Sequence, residues 1–152
     1  MKSVIDLQIA SETQNNIPTI EQFESWCNAA ILGNKNELSI RIVNDPESQE
    51  LNNAYRGKNY PTNVLSFESD LPGELNIPLL GDLVICKDVM EREAKEQGIT
   101  LESHWAHLTV HGCLHLQGYD HIIEEEAEIM EALEAKILIS LGYEDPYILE
   151  KE

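Results

Sequence analysis

Four short segments of the chain have the pattern of β-strands. Two of them alternate apolar with polar positions or are rich in β-branched residues: VIDLQIA at residues 4–10 and ELSIRIV at residues 37–43. TNVLSFE at residues 62–68 and LLGDLVIC at residues 79–86 are also typical of strands, and the Pro- and Gly-containing segment between them predicts a loop. The sequence thus predicts about four strands.

Five helices are predicted around these strands. The first is indicated by an apolar repeat from Phe23 to Ile31 with a stop at Gly33, and the second by a cap at Asp45, a start at Pro46 and a stop at Gly57. The third runs from about Lys87 to Gln97 and is ended by Gly98, and the fourth has a Thr100 cap followed by apolar residues up to Gly118. The fifth is indicated by the repeat Ile129, Leu133, Ile137 and Leu141. The second helix places Arg56 at its end. We therefore predict an α+β fold in which a four-stranded mixed sheet packs with about five helices.

Length and cysteine content limit the class of protein. A chain of 152 residues with 42% hydrophobic content is expected to form a single domain over residues 1–152. No apolar run has the ~20 residues of a membrane span, and the first residues lack the apolar stretch of a secretory signal. Cys27, Cys86 and Cys113 are odd in number and far apart, which favours reduced thiols over a disulfide framework. We expect a soluble cytoplasmic protein without membrane contact.

The charge is strongly acidic but uneven. Ten Lys and Arg residues against 28 Asp and Glu residues give a net charge of −18, which opposes diffuse binding to nucleic acid or to anionic membrane. The segment from Lys35 to Lys58 is balanced, whereas residues 120–134 hold a dense run of carboxylates, including Glu134, that is typical of a solvated helix face. Contacts with any nucleic acid should therefore be few and local.

The segment HLTVHGCLHLQGYDH, residues 107–121, holds four of the five histidines. On a helix, His111 and His115 share one face and can bind one metal ion. Gly118 can take the positive φ that turns the chain back, so that His121 completes the set. The pattern H-x-x-x-H-x-x-G-x-x-H has the ligand spacing of metzincin zinc peptidases. It predicts one zinc ion with three protein ligands, which is typical of catalytic rather than structural sites.

Other polar residues near this motif have more than one interpretation. Cys113 is expected to face away from the metal and to lie in the core. His107 either contacts the ligands from outside or packs, and His104 is expected to be exposed. Asp82, in the last predicted strand, either orients a ligand histidine, takes a proton or simply hydrogen-bonds within the strand.

One departure from the peptidase pattern limits that function. The glutamate that would follow the first ligand histidine as general base is replaced by Gly112. A peptidase would therefore lack its main proton carrier. A zinc ion can still ionise water near pH 7, so hydrolysis of another substrate stays possible.

Four segments together resemble one family. They are HGCLHLQGYDH, YRGKNYPTNVLSFE, LLGDLVIC and LGYEDPYI. Together they resemble the bacterial YbeY family of single-strand-directed endoribonucleases, which act in ribosomal RNA maturation and ribosome quality control. The resemblance covers nearly the whole chain. It implies an α+β fold, a zinc ion on His111, His115 and His121, and catalytic roles for Arg56, His111 and His115. It also implies single-stranded or ribosomal RNA as substrate, with ribosomal proteins or a ribosomal subunit as partners.

The chemistry of arginine suits the role that the resemblance implies for Arg56. A guanidinium can bind phosphate through two parallel hydrogen bonds and stabilise charge that develops in phosphoryl transfer. Lys58 either adds a phosphate contact or is a solvated surface lysine. Two other functions stay open: a metal-dependent hydrolase of peptide or amide bonds, and a non-catalytic ribosome-assembly factor in which zinc only holds the fold.

Overall fold

The four predicted strands pair into one mixed sheet. In the computed structural model, which describes residues 2–69, 77–120 and 122–147, the strands are β1 (Val4–Ile9), β2 (Glu37–Val43), β3 (Val64–Glu68) and β4 (Leu79–Cys86). Their order is β1-β2-β4-β3. Strands β1, β2 and β4 run parallel, and β3 runs antiparallel to β4. The predicted α+β fold with a four-stranded mixed sheet is confirmed.

Five helices occur within the described ranges. They are α1 (Ile20–Ala30), α2 (Asp45–Arg56), α3 (Lys87–Gln97), α4 (Leu101–Leu116) and α5 (Glu124–Ser140). As predicted, Gly57 and Gly98 end α2 and α3 in the left-handed conformation, and the Thr100 side chain accepts a hydrogen bond from the Ser103 N–H at the start of α4. No helix in these ranges is long and apolar enough to cross a lipid bilayer.

Two predicted helix ends are wrong. Helix α1 stops at Ala30 because Ile31 is already extended, so Gly33 lies in the loop and is not the stop. The N-cap of α2 is Asn44 and not Asp45. The Asp45 carboxylate instead forms a two-point ion pair with Arg92 of α3, a contact between distant segments that local sequence does not reveal.

The larger core lies on one face of the sheet, beneath α1, α4 and α5. Alternate residues of β2 and β4 point into it, and the side chains that fill it include Leu38, Ile40, Ile42, Leu83, Ile85, Phe23, Trp26, Trp105, Leu114 and Leu138. A smaller cluster on the other face joins the sheet to α2 and α3 through Val43, Leu65, Val84, Cys86 and Val89, with Leu51 packed against it. Helix α4 contacts α1, α3, α5, β3 and β4. It is therefore held on most sides.

Cys113 confirms its predicted place in the core. Its thiol is fully buried and donates to the Cys27 sulfur, 3.6 Å away, and both cysteines are free. Burial on the far side of α4 keeps this sulfur away from the histidine face of the helix.

Gly112 brings α4 unusually close to the sheet. A Cβ atom added at this position would lie 2.8 Å from Leu83 Cδ2 and 3.4 Å from Val64 Cγ2. Real Cβ atoms do not approach other carbons so closely, and Leu83 is fully buried, so it has little room to move. The missing side chain thus sets the distance between the histidine-bearing helix and the sheet.

Replacing Gly112 by alanine is expected to lower the free energy of unfolding by about 1 kcal/mol. Overpacking costs about 1–3 kcal/mol, and the higher helix propensity of alanine offsets about 1 kcal/mol of this. Urea unfolding measures the change. Gly33→Ala is the matched control, since a Cβ there would meet nothing within 4 Å. A Gly112→Ala protein as stable as the parent would show that the helix and sheet can separate freely.

A candidate metal centre in a polar cavity

Four histidines form a stripe along one face of α4. His104, His107, His111 and His115 follow one another at helical spacing, and their successive ring centroids lie 6.4, 6.3 and 4.5 Å apart. All four line a cavity of about 890 Å³ between α4, β3 and the ends of α2 and α3. The stripe is therefore one wall of an open, polar cavity.

His111 and His115 converge as their spacing predicts. Their Nε2 atoms are 3.0 Å apart, and the His111 Nδ1 lies 2.6 Å from Glu134 Oε1. When the Nδ1–H of His111 donates a hydrogen bond to the carboxylate, the other ring nitrogen of the neutral imidazole, Nε2, carries no proton and faces His115. Two converging imidazole nitrogens suit a zinc ion, whose nitrogen ligands lie about 2.0–2.1 Å away. The two Nε2 atoms are thus placed so that they could bind a metal ion between the two rings.

Glu134 holds the His111 ring from inside the protein. It is fully buried, and its Oε2 accepts a hydrogen bond of 2.6 Å from the Tyr147 hydroxyl. Burial raises the pKa of Glu134, but the hydrogen bonds that it accepts from two histidines and from Tyr147 lower it to about 2. An ionised carboxylate behind a ligand histidine fixes its tautomer and ring orientation. The prediction that Glu134 belongs to a solvated helix face is wrong.

A second set of ligand atoms overlaps the first. This set consists of His107, His111 and Glu134. Each contributes one ligand atom, and the three atoms lie within 4.8 Å of one another, so the group could bind a metal ion. However, the Glu134 carboxylate already accepts hydrogen bonds and has no exposed surface. A metal bound there would have to displace these contacts. The Nε2 atoms of His111 and His115 are the better ligand pair.

A third candidate cation-binding group, on the other side of the fold, already takes part in an ion pair and in hydrogen bonds. Asp45, Cys86 and Asp88 come close enough to bind a cation. Arg92 donates to both oxygens of Asp45, and Asn44 donates to Asp88. Burial raises the pKa of the Cys86 thiol to about 11, which keeps it protonated at neutral pH. This group joins α2, β4 and α3.

Arg56 reaches the same cavity from the end of α2. The loop after this helix is held by two buried polar side chains: Ser48 donates to the Thr62 carbonyl, and Asn52 donates to the Tyr60 carbonyl. These bonds fix the end of α2 relative to β3. Arg56, His111 and His115 therefore line one cavity, although they are far apart in sequence.

The three arginines of the chain differ in their partners. Arg41 pairs with Glu47 at 2.6 Å, and Arg92 pairs with Asp45 at 2.8 Å. Within the described part of the chain, no carboxylate lies within ion-pair distance of Arg56. Its guanidinium is available to an anion in the cavity. Lys58 is exposed and is not among the described residues that line it.

Other residues near the histidines differ from expectation. His104 is only 2% exposed and bonds to Glu93, so its predicted exposure is wrong. Asp82 accepts from Ser39 on the opposite face of the sheet and forms no hydrogen bond with any of the described histidines. His107 lies 3.2 Å from the Tyr147 hydroxyl and 3.4 Å from Glu134 Oε1, so it contacts the carboxylate that also bonds to His111.

The turn after α4 agrees with its predicted role. Helix α4 ends at Leu116, and Gly118 has a φ of 98°, a conformation that turns the chain back toward the cavity. Gly118 and Asp120 both line the cavity. His121, the third predicted ligand, lies outside the described residues.

Comparisons with known proteins find similarity to one family model and to a solved structure. The family model described as endoribonuclease YbeY matches residues 6–142, which include Arg56 and the whole histidine segment. Among solved structures, the solution structure of TM1509 from Thermotoga maritima is similar, with a TM-score of 0.51 and 25% sequence identity. That match covers 90% of this chain and 92% of the other.

Proposed function

Because the chain belongs to the YbeY family of endoribonucleases, we propose that it is a zinc-dependent, single-strand-directed endoribonuclease acting in ribosomal RNA maturation and ribosome quality control. Membership of the family indicates a nuclease role in ribosomal RNA maturation. The observation that carries the finer proposal is the single cavity lined by His111, His115 and Arg56.

In this proposal His111, His115 and His121 hold one zinc ion. Neutral imidazoles favour zinc, and three protein ligands leave a position for substrate or water. When bound, zinc supplies Lewis-acid chemistry that polarises a phosphoryl group and makes water easier to ionise. The chain itself contributes the orientation of the ligands through Glu134, which holds the His111 ring, and through Tyr147, which holds Glu134.

Arg56 binds the phosphate in this proposal. It ends α2 beside the cavity, and no described carboxylate competes for its guanidinium. A planar guanidinium can hold two phosphate oxygens and stabilise the charge that grows on them in the transition state. Arg56, His111 and His115 are accordingly proposed as the catalytic residues.

The acidic surface shapes the choice of partners. A net charge of −18 repels RNA over most of the protein, so the cavity must supply the attraction locally. Stable binding in the cell then needs ribosomal proteins or a ribosomal subunit as partners. We place the activity in the cytoplasm, where the three free cysteines stay reduced.

The peptidase alternative is weakened by position 112. A Cβ atom there would lie 2.8 Å from Leu83 Cδ2, so the fold leaves no room for the glutamate that serves as general base in the peptidase pattern. The metzincin-like ligand spacing is the one feature that favours peptide hydrolysis.

One set of assays separates the three functions. Purified, zinc-loaded protein is incubated with single-stranded RNA, duplex RNA and casein, each with and without a chelator, and the RNA fragment ends are mapped. We expect chelator-sensitive cleavage of single-stranded RNA alone. Chelator-sensitive cleavage of casein would favour the peptidase. Stoichiometric zinc without any cleavage would favour the assembly factor.

Replacing Glu134 by glutamine is expected to weaken zinc binding about 10–100-fold, the usual effect of losing a carboxylate that orients a ligand histidine. Competition with a fluorescent chelator measures the dissociation constant. Glu128→Gln, an exposed change of the same charge on the same helix, is the control. Equal zinc affinity in the two variants would mean that Glu134 is only a buried structural carboxylate.

A further inference from the structure

The cavity continues beyond the metal-binding histidines to a second polar group. His104 lies seven residues before His111 on α4, a distance of roughly 10 Å along the helix. At this end the cavity is lined by Glu93 and Gln97 of α3 and by Asn63 just before β3. None of these residues takes part in the proposed metal site.

The Glu93 carboxylate is held in one orientation by two donors. His104 Nε2 lies 2.9 Å from Oε1, and Asn63 Nδ2 lies 3.1 Å from the same oxygen and 3.4 Å from Oε2. The Asn63 amide cannot be reversed, because its Oδ1 accepts the Val64 backbone N–H at 2.6 Å. Its NH₂ group therefore faces Glu93. Oε1 is occupied by two donors, and Oε2 keeps capacity to accept more.

This carboxylate is charged and still accessible. Glu93 keeps 30% of its side chain exposed on the cavity wall. Burial raises the pKa of Glu93, but hydrogen bonds from His104 and Asn63 bring it below its usual value. An ionised acceptor repels phosphate and attracts N–H donors. The cavity thus has an anion-binding end at Arg56 and a donor-binding end at Glu93.

We propose that the Glu93 end of the cavity is a nucleobase subsite in which Oε2 of the carboxylate accepts hydrogen bonds from the Watson–Crick edge of guanine. This inference rests on the proposed function. Single-stranded RNA exposes that edge, and proteins read it by hydrogen bonding. Guanine presents two adjacent donors there, its ring N–H and its amino group. Uracil presents one donor between two carbonyl oxygens, which a carboxylate repels.

The geometry also limits which guanine is read. Arg56, the histidine pair and Glu93 line the same cavity, so a phosphate held by the first two groups would lie in the cavity that contains Glu93. The base in the subsite therefore belongs to a nucleotide close to the cleaved bond. Single-stranded substrates fit this arrangement, since a base paired in a duplex has its Watson–Crick edge covered.

Glu93→Gln tests the subsite by replacing a hydrogen-bond acceptor with a hydrogen-bond donor. Because His104 and Asn63 both donate to Oε1, the glutamine side chain should place its oxygen there and its NH₂ group where Oε2 was. A donor then replaces an acceptor in the cavity. The preference should move from guanine to uracil, whose carbonyl oxygens accept. Glu93→Ala should remove the preference, and Glu96→Gln, an exposed change on the same helix, should keep it.

The experiment is cleavage of a random-sequence single-stranded RNA followed by sequencing of the fragment ends. In the parent protein we expect guanine to be enriched about tenfold over uracil at one position near the cut. Zinc content and thermal melting are measured on each variant. Cleavage by the parent without base preference, or an unchanged guanine preference in Glu93→Gln, would overturn the subsite while leaving the nuclease intact. Absence of RNA cleavage by the zinc-loaded parent would reject both the nuclease and the subsite.

Discussion

Replacing Arg56 by lysine is expected to slow cleavage of single-stranded RNA by about 10²-fold or more, the usual cost of losing one donor to transition-state charge. Lysine keeps the positive charge but loses the paired, planar hydrogen bonds of the guanidinium. Zinc content and melting temperature should stay unchanged, because Arg56 is exposed and is not one of the proposed metal ligands. Single-turnover cleavage at saturating enzyme measures the effect without interference from product release.

Arg92→Lys is the matched control for this change. Arg92 is also exposed, but it pairs with Asp45 and lies outside the cavity. Its replacement should lower the free energy of unfolding by no more than about 1 kcal/mol, because exposed ion pairs contribute about 0.2–1 kcal/mol. Cleavage should stay at the parental rate. Normal cleavage by Arg56→Lys, with intact fold and zinc, would remove Arg56 from the catalytic residues.

The sheet and most helix ends follow from local sequence. The strand β2 and the helix α3 have the predicted bounds, and the left-handed glycines Gly57 and Gly98 end helices where expected. These features depend on alternation and on backbone conformation, which neighbouring residues determine. They also suffice to place Arg56 at a helix end and two histidines on one helix face.

The buried face of α5 could be predicted only in part. Of the predicted apolar repeat, Ile137 is buried and Leu133 and Leu141 pack against the core, but Ile129 is 61% exposed. Met130 and Leu138 are buried although they lie outside the repeat. Glu134 lies four residues after Met130 and four before Leu138, within that buried face. Seven carboxylates in the segment suggested a solvated surface and hid this position. A charged residue at the spacing of the buried apolar residues is the signal that would have found it.

Contacts between helices explain the remaining differences. His104 is buried because Glu93 of α3 lies against it, and His107 meets Tyr147 from the segment after α5. A single sequence indicates which residues share a helix face but not which distant side chain covers it. The carboxylates that hold the histidines therefore appear only in the folded chain.

Replacing His115 by alanine is expected to remove most of the bound zinc and, with it, RNA cleavage. The variant loses one of the two converging Nε2 atoms, and two remaining ligands hold zinc much less well than three. The fold should persist, because His115 is only partly buried and lies outside the hydrophobic core. Elemental analysis of zinc per chain, together with circular dichroism, measures both effects.

Cys113→Ala separates ligand loss from packing loss on the same helix. Cys113 is fully buried against Cys27 on the far side of α4, so its truncation should lower the melting temperature while zinc stays at the parental level. His115→Ala should show the opposite combination, with low zinc and a folded core. Parental zinc content in a folded His115→Ala protein would exclude His115 as a ligand and would favour the overlapping group of His107, His111 and Glu134.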